Sequence, residues 1–240
     1  VETMVGGIAG RFTGKIDNCR NNGEIRSLVC NAVGGIVGKA FIHAEISGCV
    51  NTGNVATAYA YAGGIAGITS VTSGDEFHTI IDNCSNEGPI EGMSSIGGIA
   101  GVAANGCSIT RSPNTANPMM GRAGGITGEI SQKVYVSECY NTGEIMASML
   151  AGGIAGDAPK NSQFTVSHCF NTGNVEAGSN GGAAGIVNAT DGDTSISDCY
   201  NNADIRAARY VGGITGRSEN VRIERCYSSG IVESTSSNDS

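Results

Sequence analysis

The sequence has no tryptophan, 5% aromatic residues and 4 prolines in 240 residues. Charged residues make up only 15%. No apolar run approaches the roughly 18–20 residues that cross a bilayer as a helix, so direct membrane insertion of that kind is not expected. Positive charge is in deficit, with 14 Lys plus Arg against 22 Asp plus Glu and a net charge of -8. That sign disfavours a nucleic-acid backbone or an anionic membrane surface as partner. There is no C-x-x-C, H-E-x-x-H or G-x-S-x-G, and "GRFTGK" at 10–15 has the wrong spacing for a phosphate loop. No secretory leader is visible. The chain opens at Val1 already inside a repeat-like stretch, as expected of a mature or truncated product, so the missing leader does not argue for the cytosol.

What the sequence does have is glycine, 38 residues of it, and 9 cysteines, both in a repeating pattern. "GGIAG" at 6–10 returns as "GGIVG" at 34–38, "GGIAG" at 63–67 and 97–101, "GGITG" at 124–128, "GGIAG" at 152–156, "GGAAG" at 181–185 and "GGITG" at 212–216. Successive starts differ by 28, 29, 34, 27, 28, 29 and 31 residues. After each copy comes a second motif, seen as "DNCRNNGEI" at 17–25 and "SECYNTGEI" at 137–145. Its cysteines are Cys19, Cys49, Cys84, Cys139, Cys169, Cys199 and Cys226, with Ser112 in the fourth unit. A period of this size marks a stacked array.

Glycine interrupts every candidate amphipathic helix, and a propeller blade needs about 40–45 residues. Short β-rich pieces between Gly, Asn, Asp and Ser read as strands and turns. The expected fold is all-β: a right-handed parallel β-helix (β-solenoid) with one coil per unit of roughly 28–30 residues. Eight coils stacked at about 4.8 Å give a rod of roughly 35–40 Å. A single repeat domain is expected over 1–232, with units near 6–25, 34–55, 63–90, 97–118, 124–145, 152–175, 181–205 and 212–232. Residues 233–240 read as a polar tail or linker.

Stacking predicts three aliphatic core columns. They are Ile16, Ile46, Ile81, Ile109, Val136, Val166, Ile196 and Ile223; Ile8, Ile36, Ile65, Ile99, Ile126, Ile154, Ala183 and Ile214; and Ile25, Val55, Ile90, Pro118, Ile145, Val175, Ile205 and Val232. The cysteine column is expected to be buried and structural, since serine replaces it once at little change in volume. Inter-turn disulfides are within reach on distance but poorly aimed by in-register stacking. Zinc is disfavoured, because ligands along a line do not converge on a point. Asn21, Asn51, Asn86, Asn114, Asn141, Asn171 and Asn201, ending in Ser228, should form a stacked amide ladder. Gly23, Gly53, Gly88, Gly143, Gly173 and Gly230, two residues further on, read as turn positions suited to a positive φ.

The linked pattern "GGI-x-G … I-S-x-C-Y-N-T-G-x-I" resembles the GLUG motif of bacterial surface proteins, including non-catalytic parts of some IgA-specific metallopeptidases. The resemblance covers nearly the whole chain. It implies an extracellular or cell-surface repeat module, often joined to other domains. The metallopeptidase's zinc motif is missing, since none of His43, His78 and His168 sits in one. The fourth unit departs from the pattern at Ser112, Pro113 and Pro118, where the turn should be locally distorted.

No cofactor is expected. His168 lies beside Cys169 but in a mixed, solvent-like column, and no carboxylate pair is evident on adjacent turns. Two long connections, 68–80 and 186–195, are expected to leave the rod at one corner and form a binding side. Asp75, Glu76, Asp191 and Asp193 are the weak ligand-binding candidates there, and "DGDTS" faintly echoes a calcium loop. The function expected is a non-enzymatic structural or adhesive module, a stalk or fibre subunit contacting host protein or glycan. The partners at its ends would be flanking domains or further copies, because no capping helix is visible. The alternatives are a polysaccharide-processing β-helix enzyme, or the accessory repeats of a larger surface protease.

Overall fold

The computed structural model describes residues 2–69, 79–160 and 162–236. Among them there is no helix, and every strand pairing is parallel. The chain is a β-solenoid of about eight turns.

Each turn feeds a strand into each of four faces, except that the fourth turn gives the third face only isolated bridges. In the second turn these are Ala32–Gly34, Val37–Ser47, Val50–Asn51 and Val55–Thr57. The first face is an eight-stranded sheet and the second a twelve-stranded one. The second face has more strands than turns because turns three to six break its long strand in two, as at Ala100–Ala103 and Cys107–Thr110. The third face splits into a three-stranded and a four-stranded sheet. The split falls at Pro113, which has no N–H to give to the turn before. In its place the Cys84 N–H bonds Ser112 Oγ at 3.2 Å, and Asn114 makes only isolated bridges to Asn86 and Asn141. The local distortion expected in the fourth turn is therefore confined to this face, since Pro118 still pairs with Ile90.

The Ile16 column is in register throughout, from Ile16 opposite Ile46 to Ile196 opposite Ile223. One expected column needs correction. Ala184 pairs with Gly152 and Val187 with Ala155, so the seventh copy of the glycine motif is Ala184-Gly185-Ile186-Val187-Asn188. The column residue is Ile186, fully buried, and not Ala183. Ala183 pairs with Ala151 in the neighbouring column. The literal match "GGAAG" is three residues out of register, because β-pairing follows the buried aliphatic rather than the glycines.

The same shift removes the second expected loop. Val187–Ser197 is one continuous strand, paired with Thr215–Glu224 along its length with one bulge between Asp191 and Thr194. The other end of the array also differs: Val232–Ser234 is the last paired strand, and the Thr235 N–H bonds Ala207 O, so the solenoid runs past 232.

The interior holds two separate cores. The larger gathers the Ile16, Ile36 and cysteine columns, and the smaller gathers the Ile25 column with Val33, Ala62, Ile96, Ala123, Ala151 and Ala183. Between them runs the asparagine ladder, pressed against the second glycine of each pair. A Cβ on Gly125 would lie 2.4 Å from Asn141 Cγ, and one on Gly153 2.5 Å from Asn171 Cγ. The two sequence motifs travel together because they meet across this waist.

The later glycines work differently from expectation. None of Gly23, Gly53, Gly88, Gly143, Gly173 and Gly230 has a positive φ. A Cβ on Gly53 would instead sit 2.0 Å from Gly23 O of the turn before. Left-handed backbone recurs just before the cysteine column, at Asn18, Gly48, Asn83, Arg111 (before Ser112), Glu138, His168, Asp198 and Arg225, with φ between 47 and 60, and is found elsewhere too, as at His43 and Met120.

Candidate functional site

The interior columns come first because they fix where every outer side chain points. Along the ladder each Nδ2 donates twice. Asn141 gives one hydrogen bond to Gly143 O at 2.7 Å and one to Asn171 Oδ1 at 2.8 Å. The chain of amides begins at Asn21 donating to Asn51 and ends at Asn201 donating to Ser228 Oγ. All the amide dipoles therefore point one way, and each bond polarises the next.

The cysteines are free thiols, buried except at Cys19 and Cys226, which are partly exposed. Each column cysteine donates to the carbonyl two residues back, as Cys139 to Ser137 O at 3.2 Å and Cys169 to Ser167 O at 3.2 Å. Ser112 makes the same bond to Thr110 O at 2.8 Å, which is why serine is accepted in the column. Burial pushes the Cys169 thiol well up, and pushes Cys107, outside the column, up to about 12. His168 is exposed, 4.0 Å from Asp198, on the opposite side of the backbone from the buried Cys169 thiol.

The outer surface carries a polar cluster that the sequence reading did not find. It lies where the first and second faces meet. Glu129 and Asp157 are register partners on adjacent turns. Ser95 Oγ donates to Glu129 Oε2 at 2.9 Å. Arg122 reaches both acids, Nη1 3.4 Å from Glu129 Oε2 and Nε 3.3 Å from Asp157 Oδ2. The two carboxylates are only 20% and 16% exposed. Burial raises the Asp157 carboxyl above its ordinary value, opposed by the charge of Arg122. Val102 and Ala189 bound the pair on the turns either side. The signal was available: each acid directly follows its glycine motif, "GGITGE" and "GGIAGD".

Two further surface features went unforeseen. Tyr140, Phe170, Tyr200 and Tyr227, each next to a column cysteine, stack face to face at 4.9, 4.9 and 5.2 Å between centroids. Across the rod, Leu28, Tyr59, Met93, Met120 and Met149 form an exposed apolar ridge. Beside it is a shallow groove of about 240 Å³ lined by Arg26, Thr57, Glu91, Met93 and Met120 among others.

The expected acidic candidates fall mostly outside the described residues. Asp75 and Glu76 lie outside the described residues, as does the side chain of Asp191. Asp193 is exposed on the continuous strand Val187–Ser197, so the calcium-loop echo has no loop to sit in. Among the described residues no group of three or more His, Cys, Asp or Glu converges on a point. No protein family, no curated protein and no solved structure matches this chain.

Proposed function

We propose that this chain is a non-enzymatic, exported surface module, a rigid rod that carries a lateral binding face for host protein or glycan. The observation that carries the reading is the asparagine ladder. It runs through all eight turns without a gap and ties each turn to the next by a buried hydrogen bond. A buried amide bond contributes about 1 kcal/mol and its loss costs more, so every turn resists bending away from its neighbours. The GLUG-like repeats fit this role. The contact face is the corner bearing Ser95, Arg122, Glu129 and Asp157, where half-buried polar groups are held in fixed positions. Fixed polar groups suit hydroxyl-rich ligands, because little entropy is lost on binding.

The end turns expose column residues such as Ile8, Ile223 and Val232. Their natural neighbours are further turns, supplied by flanking sequence or by another copy. The test is a glycan-array and host-protein screen with the purified chain, repeated with Arg122→Ala and Asp157→Ala. Binding that both variants abolish supports the reading. Binding unaffected by either, or none at all, overturns the assignment of this face.

Glu129 and Asp157 also favour a second reading, polysaccharide cleavage. They are register partners on adjacent turns with backbones about 4.8 Å apart, so both carboxyls can reach one glycosidic bond, as retaining glycosidases need. Against it, Arg122 engages both acids, and a general acid has to hold its proton. Release of reducing ends from polysaccharides, lost in Glu129→Gln, would establish the enzyme in place of the binding module.

A further inference from the structure

The cysteine column has a property that neither packing nor disulfide chemistry explains. Its thiols are in line, one above the next on successive turns. The N–H after each cysteine bonds the carbonyl of the cysteine one turn back, as Val50 to Cys19, Ser85 to Cys49, Phe170 to Cys139, Tyr200 to Cys169 and Tyr227 to Cys199. The thiols of Cys49 and Cys84, of Cys139 and Cys169, and of Cys169 and Cys199 are therefore neighbours on successive turns of one buried line. So are those of Cys199 and Cys226.

Length decides what such a line can hold. Adjacent strands are about 4.7–4.9 Å apart. A disulfide wants its Cβ atoms about 3.5–4.5 Å apart and its side chains turned towards each other. In-register stacking keeps the side chains parallel rather than turned together, and the cysteines are free. A metal–thiolate bond is about 2.3 Å, so a linear sulfur–metal–sulfur unit spans about 4.6 Å. That agrees with the turn spacing to within a few tenths of an ångström. The surroundings rule out a higher coordination number. The column is enclosed by the Ile16 and Ile36 columns, and no third His, Cys, Asp or Glu joins any pair among the described residues. Thiolate-only sites select soft ions.

We propose that the cysteine column binds soft, two-coordinate cations, each ion held in line between the sulfurs of two successive turns. With a divalent ion such as Hg(II) the step balances simply. Two S–H bonds break, two metal–sulfur bonds form, and two protons leave to water. The product is neutral, so nothing charged is left in the apolar core, where an unpaired ion is heavily penalised. A monovalent ion would leave one negative charge per pair and bind less well. Ser112 interrupts the line and divides it into Cys19, Cys49 and Cys84 on one side and Cys139, Cys169, Cys199 and Cys226 on the other. The first segment has thiols for one pair and the second for two. The partly exposed Cys19 and Cys226 are the points of entry.

The experiment titrates the reduced full chain with mercuric chloride, washes it with a monothiol, and measures retained metal by mass spectrometry and its ligands by X-ray absorption. The expected result is about three ions retained, each with two sulfur neighbours and no nitrogen or oxygen. Ser112→Cys joins the segments and should raise capacity to about four, while Cys169→Ser should lower it to about two. The natural Ser112 shows that serine folds in this column, and circular dichroism checks each variant. Retention of no metal, a single sulfur per ion, or a capacity that Ser112→Cys leaves unchanged overturns the proposal.

Discussion

Asn141 lies flat against Gly125, so close that a Cβ on the glycine would be 2.4 Å from the asparagine Cγ. The same added Cβ would be 2.2 Å from Gly153 O of the next turn. Gly125→Ala is therefore expected to destabilise the rod by about 2–4 kcal/mol, as overpacking against rigid backbone does. Denaturant unfolding reads it out as a lower midpoint at unchanged slope.

Asn141→Ala acts on the same contact from the other side. It leaves the Asn114 amide without its acceptor and Asn171 Oδ1 without its donor, both fully buried. Each orphaned group costs about 1–3 kcal/mol. The expected loss is larger than for Ser228→Ala, where the ladder ends near solvent and only the Asn201 donor loses its partner. Equal losses at the two positions would refute a continuous ladder.

The corrected register makes its own prediction. Ile186→Ala should cost about 2–5 kcal/mol, the usual range for a fully buried isoleucine. Ala183→Gly should cost about 1 kcal/mol. If the literal glycine match were the structural one, the order of sensitivity would be reversed. Thermal unfolding of the two variants decides.

Asp157 gives a pH signature. Its folded pKa is raised, chiefly by burial. A raised carboxyl pKa means that the folded state holds its proton more tightly than the unfolded chain, so the stabilisation is present in acid and lost as pH rises through the folded value. Asp157→Asn should therefore unfold at higher temperature than the parent near neutral pH, and the advantage should vanish in acid. Arg122 keeps Glu129 as its partner in the variant. A variant less stable than the parent at neutral pH would mean that the Arg122 ion pair outweighs the burial.

The aromatic stack on the outer face is the fifth case. Phe170 stands between Tyr140 and Tyr200 with near-parallel rings, 5° and 2° apart. Phe170→Ala removes both contacts, each worth about 0.5–1.5 kcal/mol beyond burial. Loss of near-ultraviolet tyrosine dichroism together with a stability loss of that order would confirm the stack. A change in the dichroism alone would mean that the rings stack without stabilising.

The sequence by itself determined the repeat, the parallel solenoid and the identity of most columns. Those features depend on translation along one axis, and Ile16, Ile46 and Ile81 or Asn21, Asn51 and Asn86 recur at the spacing of the turns. Stacking like on like then follows from backbone pairing alone. Only the tertiary structure decided what happens across a turn. That the second glycine meets the asparagine, that two cores form on either side of that contact, and that Arg122 bridges Glu129 and Asp157 all depend on how the coil closes on itself. Closure is set by bends at the motif boundaries, and residues well apart along a turn meet there without any periodic signature. The slipped seventh copy has the same cause. Glycines are easily matched as letters, but a turn aligns by its buried side chains, and the burial of Ile186 outweighed two glycines in the text.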